Sequence, residues 1–486
     1  MARAFISIVT GALLVNSIVF STFAAQPKNS ADPNAAQFDQ LIEKSFSENK
    51  FPSVVVGVVR GNALVYTKAL GEADKSAKRV TTLDTFYRIG SVTKVFTSTV
   101  LAGLREQGVV KLDDPIAEYL PEHVKVPTDP RGEAKIRLWH LATHTSGLPR
   151  QPINVQPNGT DAYNNYSEEL LYEGLTNMRL ENPVGATMQY SNLGVGLLGH
   201  VLSRAAKKPY RDLVREMIFD PLEMKSTTFE LSDEQRKIFS IAYGDDGNPA
   251  GEWNLGVLEP AGGIYSTLND MAKFVSWQLK AGQPDVKPLG GGALQLMQNT
   301  HAAQDDFKRC AGLGWLIRPP QNDEPLIIWH NGGTAGHRSS VMLSPAHGVG
   351  VIVLTNCGKQ VDSLAKDLML AAIKTYGEEN TEPVDPELMR IAKALVPFFV
   401  PEPSSGFEEY FHPSFLAEVP ADQIRPILVQ LATENGPAQG VTVERTDSNF
   451  EGIARYRFEN NQEVRIQLII DAGNPARIVG ALVLPG

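Results

Sequence analysis

The sequence predicts an α+β fold in which an antiparallel sheet is flanked by helices and followed by a small C-terminal α+β module. Two β-branched runs, 53–60 and 63–67, flank Gly61-Asn62, which is the pattern of a β-hairpin. Apolar residues recur near every third or fourth position over 92–104 and indicate a buried helix. Further strand-like runs lie at 326–329, 339–343 and 348–355. A sheet covered by helices accounts for these observations.

The remaining patterns place more elements along the chain. In the main part we expect an amphipathic helix over 38–46, apolar helices at 193–202 and 268–279, a strand at 312–317 and a last helix at 363–376. In the final residues, apolar side chains alternate with polar ones, which predicts an antiparallel sheet covered on one face by helices. The side chains expected on that covered face are Ala454, Tyr456, Phe458, Val464, Ile466, Leu468 and Ile470.

Changes in composition divide the chain into domains. A charged, proline-bearing stretch begins near Glu378, and a second proline-rich stretch ends at Gly406. We therefore expect a main domain over 26–378, a linker over 379–405 and a C-terminal module over 406–486.

Length, composition and charge are those of an ordinary globular protein. The chain has 486 residues, which is room for two or three domains, with 42% hydrophobic and 21% charged residues. The net charge of −10 and the pI near 5.5 argue against a nucleic-acid partner.

We expect no cofactor. The stretch 194–199 fits the dinucleotide pattern G-x-G-x-x-G, but no strand precedes it and no acidic residue follows about twenty positions later. Its glycines are expected to allow close helix packing.

Residues 1–25 have the pattern of a secretory signal peptide. Arg3 precedes an apolar run over 4–20, and Ser-Thr-Phe-Ala-Ala follows; we expect cleavage near Ala25, although Phe23 departs from the small-residue rule for such sites. The alternative is a membrane anchor, which Asn16 and the small residues at the end of the run disfavour. No other stretch is long enough to span a bilayer, so the mature chain is expected to be exported, periplasmic or secreted, without a membrane span.

Two cysteines, Cys310 and Cys357, are present. A single pair cannot form a disulfide scaffold in a chain of this size. Export permits a bond between them, but two buried thiols are the favoured expectation.

His140 and His144 lie four residues apart, which raises the question of a metal site. A zinc protease needs a glutamate next to the first histidine, and Leu141 occupies that position. No other potential ligands cluster in the sequence, so we expect no metal. The two histidines are expected to form local hydrogen bonds.

Ser91 and Lys94 lie three residues apart at the first turn of the predicted buried helix, so their hydroxyl and amine share one face. A serine becomes a nucleophile only beside a base, with its amide in an oxyanion pocket. A buried helix start supplies a desolvated amine and unpaired backbone N–H groups together. The spacing alone is weak evidence, because Ser47/Lys50 and Ser363/Lys366 share it.

Three segments in order, Ser91-x-x-Lys94, Tyr190-Ser-Asn192 and His330-Asn-Gly332-Gly333, resemble the motifs of the serine β-lactamase and penicillin-binding-protein superfamily, in particular its class C-like branch. The resemblance covers roughly 35–378, and 144–149 and 261–267 are similar to framework segments of the branch. It implies a β-lactamase/transpeptidase-like fold with an all-helical subdomain beside the sheet. The C-terminal module more loosely resembles cystatin-like or NTF2-like domains.

The resemblance also implies roles for individual residues. Ser91 would be the nucleophile that forms an acyl-enzyme. Lys94 and Tyr190 would share the proton transfers, each moving the other's pKa toward neutrality. Asn192 would bond Lys94 and the substrate amide. The backbone N–H groups of Ser91 and Gly333 would form the oxyanion pocket.

The strand motif departs from that of true β-lactamases, which mostly carry Lys-Thr-Gly where this chain has His330, Asn331 and Gly332. These three residues are still expected to bind substrate, but a histidine is largely neutral at pH 7 and would hold an acidic β-lactam less strongly.

We therefore expect an exported serine hydrolase acting on amide or ester bonds, a D-amino-acid peptidase (DD-carboxypeptidase-like) or an esterase. The alternatives are a class C-like β-lactamase and a slowly acylating penicillin- or peptide-binding module without turnover. The partner is a small-molecule or peptide substrate; the oligomeric state is left open. The G-x-S-x-G elbow of α/β-hydrolases is absent.

Overall fold

The computed structural model describes residues 35–484, apart from 133, 181, 284, 305–307, 322–323, 378–384, 404, 446–450 and 472–474. The predicted signal peptide, residues 1–25, lies outside the described residues, as does the start of the predicted linker.

Helices occur throughout the described residues. None of those in this part of the chain combines the length and the apolar composition needed to cross a bilayer. They are α1 (Ala35–Asn49), α2 (Thr93–Glu106), α3 (Leu138–Ala142), α4 (Glu168–Asn177), α5 (Asn192–Ala206), α6 (Tyr210–Val214), α7 (Asp233–Ile238), α8 (Leu268–Gln278), α9 (Gly291–Gln298), α10 (Asp362–Tyr376), α11 (Pro386–Leu395), α12 (Pro413–Glu418) and α13 (Ala421–Asn435).

In the part of the chain that the structure describes, the strands form one large sheet, one four-stranded sheet and one short pair. They are β1 (Ser53–Arg60), β2 (Ala63–Asp74), β3 (Arg79–Val80), β4 (Tyr87–Arg88), β5 (Tyr265–Ser266), β6 (Ala302–Ala303), β7 (Cys310–Ala311), β8 (Leu316–Arg318), β9 (Ile327–Gly333), β10 (Arg338–Ser344), β11 (Val349–Thr355), β12 (Ala438–Arg445), β13 (Glu451–Phe458), β14 (Glu463–Ile470) and β15 (Ile478–Val483).

The large sheet is antiparallel and has helices on both faces, which confirms the predicted architecture. Its strand order is β3-β2-β1-β11-β10-β9-β8-β7-β6. Side chains alternate across β1: Val54, Val56 and Val58 pack with residues of α1 and α10 in one core. Val55 and Val59 belong to a second core that includes residues of α2, α5 and α8. Because both faces are covered, β1 is an almost continuous apolar run.

The helical part of the main domain packs against this second core. In α2, all residues from Thr93 to Leu104 are buried, as the sequence predicts. Helix α5 packs on a short 3₁₀ turn, Gly256–Ala261. A Cβ on Gly196 would lie 2.4 Å from Leu258, so this glycine serves close packing, as expected, rather than nucleotide binding.

One predicted strand is wrong. The run 312–317 does not form a single strand; Cys310–Ala311 and Leu316–Arg318 pair with each other as β7 and β8. Between them the chain turns, with Gly314 at φ +74° and with Gly312 N donating to Trp315 O. The left-handed conformation of Gly314 reverses the chain within a run whose apolar residues resemble a strand.

The C-terminal residues form their own core around the sheet β12-β13-β14-β15. Most of the side chains predicted on the covered face are buried, among them Ala454, Tyr456, Phe458, Leu468 and Ile470. Helix α11, which lies in the predicted linker, contributes Leu388 and Ile391 to this core. The domain boundaries and the likeness to cystatin-like or NTF2-like domains stay predictions.

The expectation of two buried thiols is confirmed. Cys310 and Cys357 are both buried and carry thiols rather than a disulfide. They belong to the two different cores on opposite faces of the large sheet. The sheet itself therefore separates the two sulfur atoms.

Candidate active site

The Ser91-x-x-Lys94 motif and the His330–Gly333 motif meet where the start of α2 contacts the end of β9. Gly90 has φ +52° and opens a single 3₁₀ turn, Gly90–Val92, that leads into α2. A Cβ on Gly90 would lie 2.6 Å from Gly333 N, and a Cβ on Gly332 would lie 1.9 Å from Ile89 O. The two backbones thus pack directly on each other, which only glycine permits. This contact places the serine turn beside Gly333.

Ser91 and Lys94 face each other across the first turn of the helix, as predicted. Lys94 Nζ lies 3.0 Å from Ser91 Oγ and donates a hydrogen bond to the carbonyl oxygen of Ala261 at 2.6 Å. The lysine is fully buried, while Ser91 stays half-buried. The bond to Ala261 fixes the amine so that it points at the serine hydroxyl.

The environment of Lys94 favours its neutral form. Burial lowers the pKa of the Lys94 amine well below its usual value, and the positive charge of Arg150 lowers it further. A neutral amine has a lone pair and can accept a proton from Ser91. The expected lowering of this pKa is confirmed, although burial rather than a neighbouring tyrosine is its main cause.

Tyr190 lies over the same amine. Its ring centroid is 5.0 Å from Lys94 Nζ and 5.0 Å from the guanidinium carbon of Arg150. Burial raises the pKa of Tyr190 and outweighs the lowering by hydrogen bonding with Ser91 and by the Arg150 charge. The expectation of a lowered tyrosine pKa is therefore wrong. Tyr190 is a neutral phenol, able to donate a hydrogen bond or a proton.

Asn192 begins α5 directly after the Tyr190 loop, and Ser191 caps the helix by accepting a hydrogen bond from Gly194 N at 2.8 Å. We expected Asn192 to bond Lys94. Instead, Asn192 Nδ2 donates to the hydroxyl of Tyr163 at 3.2 Å. In the described part of the chain, the Lys94 amine bonds only Ser91 and Ala261.

The strand motif contributes residues from two faces of β9. His330 is fully buried with its ring 6.1 Å from that of Tyr190, and burial together with the nearby Lys94 lowers the pKa of His330 to about 3. The next side chain, Asn331, donates to Asp362 in α10 at 2.8 Å. Since alternate residues of a strand face opposite sides, the structure does not bring the Asn331 side chain to Ser91.

His144 and Arg150 were not predicted as site residues. His144 has φ +63°, accepts a hydrogen bond from Ser191 N at 3.2 Å, and lies with its ring 4.3 Å from that of Tyr190. The expected local hydrogen bonding is confirmed for His140, which accepts from Arg137 N, but His144 bonds a residue far along the chain. The only sequence signal for Arg150 is its position after the Gly-Leu-Pro turn.

Arg150 is exposed, and its charge acts on both Lys94 and Tyr190. We expect Arg150→Met to raise the pKa of Lys94, so that kcat/KM against pH reaches its plateau at higher pH than in the parent. The pH profile of ester hydrolysis measures this shift. Arg150→Lys keeps the charge and should leave the profile near that of the parent. An unmoved profile in Arg150→Met would show that Arg150 does not tune the base.

The Beta-lactamase family model matches residues 38–375 of the chain. The chain therefore belongs to the Beta-lactamase family. As a member it is a serine hydrolase, which agrees with the expected superfamily and with the α+β fold.

Individual relatives of this Beta-lactamase family member cover most of the same region. A D-alanyl-D-alanine-carboxypeptidase/endopeptidase AmpH from Escherichia coli (strain K12) is 31% identical over 366 residues, which are 72% of this chain and 90% of that protein. The crystal structure of a β-lactamase/D-alanine carboxypeptidase from Yersinia pestis is 29% identical with a TM-score of 0.61, covering 70% of this chain and 99% of that one. A class C β-lactamase from Rhodobacter sphaeroides is 25% identical with a TM-score of 0.58, at 70% and 99% coverage.

Proposed function

We propose that this serine hydrolase acts through an acyl-enzyme on Ser91, and that its substrates are peptides ending in D-alanine. The observation that carries the proposal is the 3.0 Å approach of the buried Lys94 amine to the Ser91 hydroxyl. A pKa lowered by burial makes that amine a base at neutral pH.

Acylation follows from this geometry. Lys94 accepts the proton of the Ser91 hydroxyl as Oγ bonds to the substrate carbonyl carbon. Negative charge then develops on the carbonyl oxygen, which the backbone N–H groups of Ser91 and Gly333 stabilise. The backbone contact between 89–90 and 332–333 supports this pairing of the two donors.

Collapse of the tetrahedral intermediate breaks the bond to the leaving group, an amine for a peptide or an alcohol for an ester. The neutral phenol of Tyr190 donates the proton that the leaving group needs, and Lys94 returns a proton to the phenol. In the second half, Lys94 accepts a proton from the water that attacks the acyl carbon and returns it to Oγ as the bond to the acyl carbon breaks, which restores the Ser91 hydroxyl and releases the acid. The phenol is protonated at neutral pH, as a donor must be, and the positive charge of Arg150 favours the phenolate that forms when the proton leaves.

The substrate class rests on relatives and on His330. The E. coli relative is named for D-alanyl-D-alanine carboxypeptidase and endopeptidase activity. His330, neutral because its pKa is lowered to about 3, cannot supply the positive charge of the lysine in Lys-Thr-Gly enzymes. We therefore favour a peptidase over a dedicated β-lactamase, with an esterase as the alternative that the same residues allow.

We also propose that the protein is exported, on the pattern of residues 1–25. Export would bring the site to cell-wall peptides, which end in D-alanine.

Intact-mass spectrometry tests the nucleophile. We expect benzylpenicillin to add one covalent mass to the parent and to Ser363→Ala, but not to Ser91→Ala. Ser363 is a matched control because it also stands three residues before a lysine, Lys366. An adduct that persists in Ser91→Ala, or no adduct in any variant together with no hydrolysis, would contradict the proposed site.

Substrate profiling tests the reaction. We expect release of D-alanine from diacetyl-L-lysyl-D-alanyl-D-alanine, no release from the isomer ending in L-alanine, and loss of release in Ser91→Ala. Hydrolysis of p-nitrophenyl acetate that needs Ser91, without D-alanine release, would favour the esterase alternative.

A further inference from the structure

A cavity of about 650 Å³ lies beside the strand pair β4–β5 and the loop 252–259. It includes none of the residues placed in the catalytic site, and its volume is in the range of small-molecule sites. Its lining is polar and contains three arginines and three glutamates: Arg88, Arg211, Arg236, Glu230, Glu252 and Glu259.

Two of the three arginines already have counter-ions. Arg211 pairs with Glu259 at 2.5 Å and with Glu230 at 3.2 Å. Arg236 pairs with Glu252 at 2.5 Å. The glutamates in the lining are thus all engaged by these two side chains.

Arg88 is different. Its side chain lines the cavity although the residue is only 5% exposed. Its Nε and Nη1 are buried without a hydrogen-bond partner, and no carboxylate in the described residues forms an ion pair with it. Its guanidinium carbon lies 4.8 Å from the ring centroid of Tyr265. A guanidinium stays charged in proteins, so a buried one without a counter-ion is costly.

The charges select the kind of anion. Three arginines and three glutamates balance, so an entering monoanion adds one uncompensated negative charge, whereas a phosphate dianion adds two. A carboxylate also fits the geometry, because Nη2 shares one edge of the guanidinium with Nε and the other with Nη1. Because Nε and Nη1 are buried in the unliganded chain, the guanidinium has to turn toward the cavity for a carboxylate to bridge two donors on one edge. The rings of Phe229 and Trp253 offer apolar walls for the rest of the molecule.

We propose that this cavity binds a small monocarboxylate and that Arg88 anchors it. The proposal is independent of the proposed function, since it uses none of the residues of that reaction. It gives the buried charge of Arg88 the counter-ion that the described residues do not supply.

Calorimetric titration of the full chain tests it, in a Ser91→Ala background so that nothing is turned over. The probes are butyrate, benzoate and inorganic phosphate, at constant ionic strength set with chloride. We expect at least one of the two carboxylates to bind with one site per chain and phosphate to bind more weakly. Absence of binding by both carboxylates, or phosphate binding as tightly as either, would overturn the proposal.

Substitutions locate the site. Arg88→Met should lower the carboxylate affinity at least tenfold, while Arg211→Lys, which keeps the charge of a paired arginine of the same cavity, should leave it within about twofold. Without ligand, Arg88→Met should also raise the unfolding temperature, because an unpaired buried charge is removed. If that variant does not fold, Arg88→Lys, which keeps the charge but not the two-donor edge, should still weaken binding severalfold. Unchanged affinity in the Arg88 variant tested would place the bound carboxylate elsewhere.

Discussion

Replacing Lys94 by methionine is expected to reduce the rate of hydrolysis about a thousandfold. This is the middle of the range for the loss of a positioned general base. Methionine has a similar length and fills the same buried space in α2, so the helix should be retained. What is lost is the amine that lies 3.0 Å from Ser91 Oγ. Steady-state kinetics with p-nitrophenyl acetate measure the effect, and far-ultraviolet circular dichroism checks the fold.

The same substitution should change the pH dependence of stability. The pKa of Lys94 is lowered in the folded chain, whereas in the unfolded chain it returns to its ordinary value of 10.5. Between these values the unfolded state binds one more proton at this lysine, so Lys94 contributes stability that increases with pH, by about 1.4 kcal/mol per pH unit. Lys94→Met removes this slope, so its stability relative to the parent should be highest near pH 7 and should decrease toward pH 10.

Urea unfolding at pH 7 and pH 10 measures both trends. The carbonyl of Ala261 loses its donor in Lys94→Met, which costs about 1–3 kcal/mol and offsets part of the gain at pH 7. Lys44→Met, an exposed position in α1, is the control and should match the parent in activity and in slope. A Lys94→Met protein with near-parental activity would remove Lys94 from the proposed mechanism.

The local part of the site could be predicted from the sequence. Ser91 and Lys94 meet because helical spacing alone puts them on one face, and the buried face of α2 follows from its apolar period. The loop Tyr190–Asn192 and the strand at His330 were recognised only by their likeness to family motifs. Their meeting depends on packing between segments more than a hundred residues apart.

The errors in the predicted site also arise from contacts between segments that are far apart in the sequence. Nothing near Asn192 in the sequence indicates that it bonds Tyr163, and the partner of Asn331 is Asp362 in another helix. The sign of the Tyr190 pKa shift depends on how deeply the phenol is buried, which periodicity does not reveal. Arg150 reaches the site only because its loop folds over Tyr190.

In the fold, too, local patterns were predicted well, whereas features that depend on backbone conformation or distant packing were not. The hairpin at Gly61-Asn62 and the runs that became β9, β10 and β11 are local patterns. The bounds of β1, β10 and β11 lie within one residue of the predicted runs, whereas β2 and β9 continue past them, to Asp74 and Gly333. The run 312–317 failed because a single positive φ at Gly314 outweighs its apolar pattern. Helix α11 lies in the predicted linker, and its packing into the C-terminal core could not be inferred from the linker composition around it.

Gly332→Ala is the second substitution from which we expect a large effect, a loss of about a hundredfold to a thousandfold in kcat/KM. The added Cβ would lie 1.9 Å from Ile89 O and 2.4 Å from Ser339 Oγ. Because Ser339 Oγ also donates to Ile89 O, neither atom can move without disturbing the serine turn. The strand must then shift away from Ser91, and the Gly333 N–H leaves the position in which it can bond the oxyanion.

Overpacking alone also destabilises proteins, by about 1–3 kcal/mol, so the control must be crowded at another place in the same sheet. Gly350 meets this need, because its added Cβ would lie 2.4 Å from Val275. Gly350 pairs with Leu343 near one end of β10, whereas Gly333 pairs with Arg338 at the other end of that strand. Gly350→Ala should therefore lose stability while its activity stays within about tenfold of the parent. Thermal unfolding and ester hydrolysis of both variants separate the two effects. If Gly332→Ala were no slower than Gly350→Ala at equal stability, the Gly333 N–H would not be an oxyanion donor, and the strand would serve only to hold the serine turn in place.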